Sequence, residues 1–483
     1  MGMVNKKSLR EEFDRIKIEF EQLSSENKVP TETKALFSAM FMLFELVLAI
    51  FLEKTTPKTN KNSSLPSSQT PKDDTATGNT KSNTKGKLEN GERFSNSRTR
   101  EAVRLARVSV CDHCGEDLSL AACQQQERRT KIDIVFEKVV LHVDAEIKEC
   151  PHCHGKTKGA FPADMPGPRQ YGVGIKAYVL NLLISQMITL NRLQKLVQTL
   201  TGEVISEATF LGYITQLDKA LEQWEADSIH QLLSCPALHV DETSLRVAGK
   251  NHWIHVYAAG DITLKFLHAR RGTEAIEAIN IIPRYGGTTI HDCWASYLSY
   301  EHCNHGLCGS HLLRELTFVV ESNHYAWAAN MKHLLQETSA KVARRKRKKL
   351  SEAEYKQLQR RYRTLLTQGE TELPPIPARS QGQRGKIAKS DAHNLWERLR
   401  HYETAVLLFA QEPAVAFTNN RAEQDLRMAK VKQKVSGCFR KEHFAQAYCR
   451  ISSYLQTMAN KGYNPMVAIQ LALSGQVYAD RGE

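Results

Sequence analysis

The stretch that most constrains the fold is Ala237–Val247, ALHVDETSLRV. It reads as a buried β-strand carrying the carboxylate of Asp241 toward its end. Two further apolar segments follow, His252–Ala259 and Ile262–Ala269, set apart by the turn signals Gly249-Lys250-Asn251 and Gly260-Asp261. Three antiparallel strands in a meander are the economical arrangement. Thr273–Asn280 then reads as a short helix, and Thr288–His291 as a fourth strand ending in Asp292. A β-β-β-α-β order is that of an RNase H-like core, in which the first and fourth strands lie side by side. Asp241 and Asp292 are therefore expected together.

Two carboxylates at the end of a buried sheet repel each other unless a cation lies between them. Oxygen-only ligands favour Mg²⁺ or Mn²⁺. A third acid is expected, and Glu423 in NNRAEQDLR is the best placed, at the start of a helix running on through MAKVKQKV. Spacing alone equally supports a structural role: Asn420 followed by Glu423 is a capping-box pattern. Asp425 is the alternative ligand.

The ordered blocks VDETSLRV, TTIHDCWASY, GLCGSHLLREL, TNNRAEQDLRMAKVKQKVSGCFR and AQAYCRISSYLQTMANKGYNP resemble the DDE transposases of the insertion-sequence family known as IS-sixty-six. Upstream, Asn62–Ser68 is similar to its NSSKPPS segment, with Leu65 where lysine is common, and Phe161–Ala177 to its FP…QYG…LKA block. The resemblance implies a transposase of a bacterial insertion sequence that cleaves DNA and joins 3′-ends to a target. Asp241, Asp292 and Glu423 are then its catalytic, metal-binding triad. A nuclease without strand joining and a catalytically inactive DNA-binding regulator are the alternatives.

The chain's 483 residues suffice for several domains, since single cores rarely grow past roughly 250–300 residues. Its 66 Lys+Arg against 53 Asp+Glu, net +13, suit a polyanionic partner such as element ends and target DNA. Eleven cysteines without a signal peptide argue for a reducing compartment, here the bacterial cytoplasm. Four of them form two CxxC knuckles, Cys111/Cys114 and Cys150/Cys153, separated by 35 residues, the donor set of a structural Zn²⁺ site. Between them Lys131–Ile147 alternates as a β-hairpin would, giving a zinc-ribbon-like module.

The expected organisation is multidomain α+β. Residues 1–54 form a helical self-association segment, 55–100 a disordered linker of Lys, Thr, Asn, Ser, Pro and Gly, and 101–160 the zinc module. Residues 161–235 form a helical DNA-binding region, and 236–435 the catalytic core with a helical insertion at about 325–410. Residues 436–483 form a C-terminal helical region. In the first segment, Ala35–Leu52 is long enough for a membrane span. Glu45 in its middle, and Phe37, Phe41, Phe44, Leu48 and Phe51 at helix-seam spacing, favour a homo-oligomeric contact and no membrane.

Leu193–Leu200, Gly202 and Ser206–Ile214 give a helix-turn-helix pattern, with Ser206 as cap and Thr209 and Tyr213 as candidate DNA contacts. In the insertion, Trp327–Leu366 and Asp391–Phe409 read as long helices joined by a Gly/Pro/Arg-rich loop. The run Arg344–Lys349 either grips phosphates or is a solvated helix face. His311, in the CxxH spacing Cys308-Gly309-Ser310-His311, is expected as an active-site neighbour touching DNA or orienting a ligand, not as a zinc ligand. Arg421, Arg427, Lys430, Lys432, Lys434 and Arg440 flank Glu423 where a DNA backbone would lie. Accessory proteins of the same element are further candidate partners.

Overall fold

Two tight turns build the central sheet from the strands β1 (Ala237–Val247), β2 (Lys250–Ala259) and β3 (Ile262–His268). Val247 pairs with Lys250, leaving Ala248 and Gly249 as a two-residue loop with φ of 48° and 78°. Positive φ at both positions gives the loop the twist that antiparallel strands need. The turn thus falls earlier than the expected Gly249-Lys250-Asn251, and Lys250 begins β2. Gly260, at φ 52°, and Asp261 make the second reversal. A computed structural model describes residues 6–26, 28–59, 62, 105–132, 134, 136–376 and 388–477. Most of the 55–100 linker lies outside the described residues.

The short helix Thr273–Ile279 ends at Asn280 in the left-handed conformation and leads to β4 (Thr288–His291), then to β5 (Asn304–Leu307). The strand order is β3-β2-β1-β4-β5. First and fourth strands are neighbours, as the element order requires, and they run parallel. β5 was not foreseen, because NHGL carries no apolar alternation. Every residue of β4 is buried, so the edge beyond it has to be covered. Gly306 lets β5 fit, since a Cβ there would stand 2.9 Å from Val415 Cγ1.

Helices Gly309–Asn323, Ala326–Arg344, Glu352–Glu372 and Asp391–His401 form the insertion around Trp327, Met331, Leu335, Leu358, Tyr362 and Leu395. The single long helix expected over Trp327–Leu366 is instead broken in two. Ser351 opens the second piece with a capping box to Glu354, and Lys348 has φ 50°. Arg344 ends the first helix and Arg345–Lys349 lies at a chain reversal, not along a helix face: successive cations disfavour a helical stack, and the apolar Leu350 that follows is buried. The Asp391–Phe409 segment likewise breaks at Tyr402.

Helices Lys6–Ser25 and Thr31–Thr55 form an antiparallel hairpin through Phe13 against Phe41 and Phe20 against Phe37. Glu45 pairs with Lys17 at 2.8 Å. The expected seam is divided: Phe41 and Leu48 are buried within the chain, while Phe37, Phe44 and Phe51 are exposed. Thr33–Thr55 is long and apolar enough to cross a membrane by length and composition. Its end, however, is tied by polar bonds, with Glu53 accepting the N–H groups of Asp391 and Ala392 at 2.5 and 2.9 Å and the side-chain amide of Asn323 at 3.2 Å.

These elements form one compact unit, comprising the described residues of 1–85, 225–434 and 438–440; a second comprises those of 86–224, 435–437 and 441–483. In the second, helices Val173–Ile184, Leu190–Thr201 and Glu207–Ala220 pack with Glu442–Asn460 and Pro465–Leu473. Arg450 bonds Asp218 at 2.7 Å, and Trp224 meets Tyr454 edge-on. Gly202, at φ 74°, makes the expected turn, and Ser206 caps the next helix by accepting the Thr209 N–H. Each cysteine knuckle is a tight turn: Gly115 N–H bonds Cys111 O, and His154 N–H bonds Cys150 O. Ile147–Glu149 pairs with Lys156–Lys158 around the second. The hairpin expected over Lys131–Ile147 is absent among the described residues, and Ile132, Ile134, Phe136, Val139 and Leu141 are exposed.

One glycine controls the entry to the helix Gly309–Asn323. A Cβ on Gly309 would lie 2.2 Å from the Phe417 ring, which packs on Phe409, and the Gly309 N–H donates to Phe417 O at 2.7 Å. Gly309→Ala is expected to cost about 1–3 kcal/mol, the usual range for overpacking, measured as a fall in the chemical-denaturation midpoint at unchanged slope.

Candidate active site

β1 and β4 pair with an offset of 51 residues (288 − 237), and the same offset carries Asp241 to Asp292 (292 − 241). The continued register would bring the two carboxylates to one level, and the Asp292 charge does act on Asp241. Burial raises the Asp241 carboxyl well above its ordinary value, and the charges of Glu242, Asp292 and Glu423 raise it further. The Glu242 N–H, donated to Asp241 Oδ1 at 2.8 Å, pulls the other way. Burial also raises Asp292, against the attraction of Arg271 and the Trp294 N–H, which Asp292 Oδ1 accepts at 3.2 Å.

Sequence reasoning missed the group that makes this crowding tolerable. Glu242 is buried, and its carboxylate accepts Arg271 Nε at 2.7 Å and the Tyr297 hydroxyl at 2.6 Å. The Arg271 guanidinium lies over the Trp253 and Trp294 rings, 5.1 and 4.3 Å from their centroids. Two aromatic faces hold the cation beside the acids. The adjacent acid in DET and the Trp of HDCW were the available signals.

Beneath Asp292 lies a neutral imidazole chain. His291 Nδ1 accepts the Cys293 N–H at 3.1 Å, so its Nε2 carries the proton toward His305 Nδ1, also at 3.1 Å. His305 Nε2 then donates to Tyr300 O. Burial holds His291 down at about 3, with His305 adding to the effect. Cys293, immediately after Asp292, adopts φ 70°, a conformation non-glycine residues hold only when their surroundings fix it.

Glu423 comes from the helix Asn420–Ser436. Asn419 sets the start of that helix: its side-chain amide donates to Val240 O at 2.8 Å, its Oδ1 meets His239 Nδ1 at 2.9 Å, and its N–H meets Cys308 Sγ at 3.1 Å. Asn420, expected as a cap, is the first helical residue, and the capping box with Glu423 is not formed. Glu423 Oε1 instead faces His311 Nδ1 at 3.6 Å. Burial lowers His311 to about 4, so the ring is neutral at pH 7. Asp425, the alternative third acid, accepts the Thr263 hydroxyl at 2.7 Å and is committed to the sheet.

The donors fit a hard divalent ion in type, since all are carboxylate oxygens and their mutual repulsion favours a cation. No choice of one ligand atom each brings Asp241, Asp292 and Glu423 all within 4.8 Å of one another. Glu423 reaches Asp241 by its charge while one of its oxygens is turned to His311.

The flanking cations divide into two groups. Arg427, Lys434 and Arg440 are exposed. Arg421 donates to Ile262 O, Lys430 to Ser244 O and Oγ, and Lys432 lies 5.8 Å from the Phe439 ring. Arg421 and Lys430 brace the helix against the sheet. In the second unit Thr209 is engaged in the cap with Ser206, and Tyr213, expected at a DNA surface, is a core residue packed on Phe210. Burial raises the Tyr213 hydroxyl to about 12. The four knuckle thiols are of the right type for zinc, and backbone N–H groups lower Cys111 and Cys150. No three of them lie within 4.8 Å of one another.

Residues 169–447 match the family described as Transposase IS66 family. No curated protein matches the chain.

Asp241 carries a testable cost. In cation-free protein at neutral pH, Asp241→Asn removes one of several repelling charges while keeping an oxygen for the Glu242 N–H. The variant should melt about 2–4 °C higher, the shift for roughly 1 kcal/mol in a domain of about 150–250 residues. Because the wild-type pKa is raised, that advantage must shrink as pH falls through it and the native carboxyl takes up its own proton. Scanning calorimetry with chelator across acidic and neutral pH reads both effects.

Proposed function

The chain belongs to the IS66 transposase family, and from that premise we propose that it cleaves DNA at the ends of a bacterial insertion sequence and joins the freed 3′-ends to target DNA. The observation that carries the reading is the placement of Asp241 on β1 and Asp292 directly after the adjacent parallel β4, with Asp292 and Glu423 both close enough to raise the Asp241 carboxyl. The strand order supports an RNase H-like core.

Asp241, Asp292 and Glu423 would hold Mg²⁺ or Mn²⁺, which when bound supplies positive charge to a scissile phosphate and acidity to an attacking water. Asp241 and Asp292 enter from rigid strands, so their separation is set by main-chain pairing. Asp241 must be ionised to serve as a ligand, which links its proton loss to cation binding. Arg271 keeps Glu242 neutralised and so leaves the two aspartates as the acids open to a ligand. His291 and His305 support the Asp292 turn without contributing charge. Exposed Arg427, Lys434 and Arg440 bind backbone phosphate, while Lys430 and Arg421 hold the helix that presents Glu423. His311 acts on Glu423 rather than on DNA.

Cys111, Cys114, Cys150 and Cys153 would hold zinc, which would draw the two knuckles into one small domain for end recognition. The exposed phenylalanines of Thr31–Thr55 would then serve pairing of two chains on two element ends.

Asp241→Asn, assayed with pre-cleaved and intact element ends and Mg²⁺ or Mn²⁺, should lose cleavage and strand joining by about 10³-fold or more, in the range of removing a principal catalytic electrostatic group. Retained band-shift affinity is expected, and normal joining by that variant would remove the assignment. Cutting without joining by wild-type protein would favour the nuclease reading. Cys150→Ser should leave joining of pre-cleaved ends measurable while reducing selection of element ends and zinc-dependent resistance of residues 105–160 to proteolysis.

A further inference from the structure

Two helix starts meet beside the carboxylates. Cys308 precedes the helix Gly309–Asn323, His311 lies in its first turn, and Glu423 lies in the first turn of Asn420–Ser436. One ligand atom from each of the three falls within 4.8 Å of the other two. Among the described residues this is the one such group of His, Cys, Asp and Glu.

Two of those atoms are orphans. His311 Nδ1 and Glu423 Oε1 are both fully buried and make no hydrogen bond, although they stand 3.6 Å apart. That separation is too long for a direct bond. Buried polar atoms without partners are costly and rare, and a pair facing each other across one gap calls for a third group between them. The Asn419 N–H, donated to Cys308 Sγ at 3.1 Å, holds the sulfur at the start of the Glu423 helix. Gly309, pinned under Phe417, fixes the turn that brings Cys308 and His311 to one side.

We infer that Cys308, His311 and Glu423 bind a zinc ion. A thiolate, an imidazole and a carboxylate are the mixed donors that a borderline-soft tetrahedral ion takes, unlike the oxygen set of Mg²⁺, and three protein ligands leave the fourth position for water. The ion satisfies both orphaned atoms at once. It also makes Glu423 a shared residue, one oxygen committed to zinc and the other left for the Asp241–Asp292 side, so zinc is a positioning element for the third carboxylate. Sequence alone favours His311 as a neighbour and not a zinc ligand; the facing orphans reverse that assignment. The zinc site stands on geometry alone, and only its positioning role rests on the transposase reading.

The test is zinc content per chain, by mass spectrometry of full-length protein purified with zinc and dialysed against a weak chelator. Cys308→Ser, His311→Gln and Glu423→Gln should each lose one equivalent relative to wild type, while Asp241→Asn keeps the full complement. Cobalt substitution gives a second readout on wild type: His311→Gln should remove one set of visible d–d bands, and Cys150→Ser should leave that set intact. Equal zinc content and cobalt spectra in wild type and His311→Gln would overturn the site, even where Cys308→Ser does not fold. Normal cleavage by Asp241→Asn with zinc content as expected would instead sink the transposase triad and leave the zinc site standing.

Discussion

Like charge gathered at one end of the central strand is the constraint on which the rest of the core depends. Asp241, Glu242 and Asp292 are brought close by strand pairing, and Glu423 adds a fourth negative group. Left alone, such a cluster would push the strands apart or remain protonated. The structure answers with a cation in a defined place: Arg271, set over the Trp253 and Trp294 rings and bonded to Glu242, with Arg398 adding to the attraction on Asp292. One acid is neutralised permanently, and the repulsion among the remainder stays as a driving force for a divalent ion.

Asn419 does for geometry what Arg271 does for charge. Its three bonds, two from the side chain and one from the backbone N–H, tie β1, the Cys308 turn and the start of the Glu423 helix to one buried residue. The spacing between the third carboxylate and the two aspartates is therefore fixed by hydrogen bonds to backbone and thiol as well as by packing. Lys430 and Arg421 repeat the tie further along, bonding Ser244 and Ile262.

What could be read from sequence follows the range of the interaction responsible. Asp241 and Asp292 were legible because strand alternation and turn residues are local signals, and the order of elements then dictates which strands touch. Glu423 was legible as an acid at a helix start, but its direction was not, since Asn419, His311 and Cys308 reach it across the fold. β5 was invisible because four weakly patterned residues are recruited by a neighbouring edge. The break at Arg344–Lys349 was hidden by a helical pattern that continues on both sides. Tyr213 had a readable signal that the DNA-contact expectation passed over: Phe210, Tyr213, Ile214 and Leu217 share the spacing of one buried helix face. Alternation over Lys131–Ile147 suggested strands, yet pairing needs a partner edge, and those apolar residues are exposed.

The second unit is assembled from pieces at both ends of a long detour: helices between 173 and 220 pack with Glu442–Asn460 and Pro465–Leu473. During synthesis its first helices leave the ribosome with their apolar faces uncovered, and they wait through more than two hundred residues for the segment that closes them. A truncated or stalled nascent chain would carry the sheet and its carboxylates without a finished helical unit.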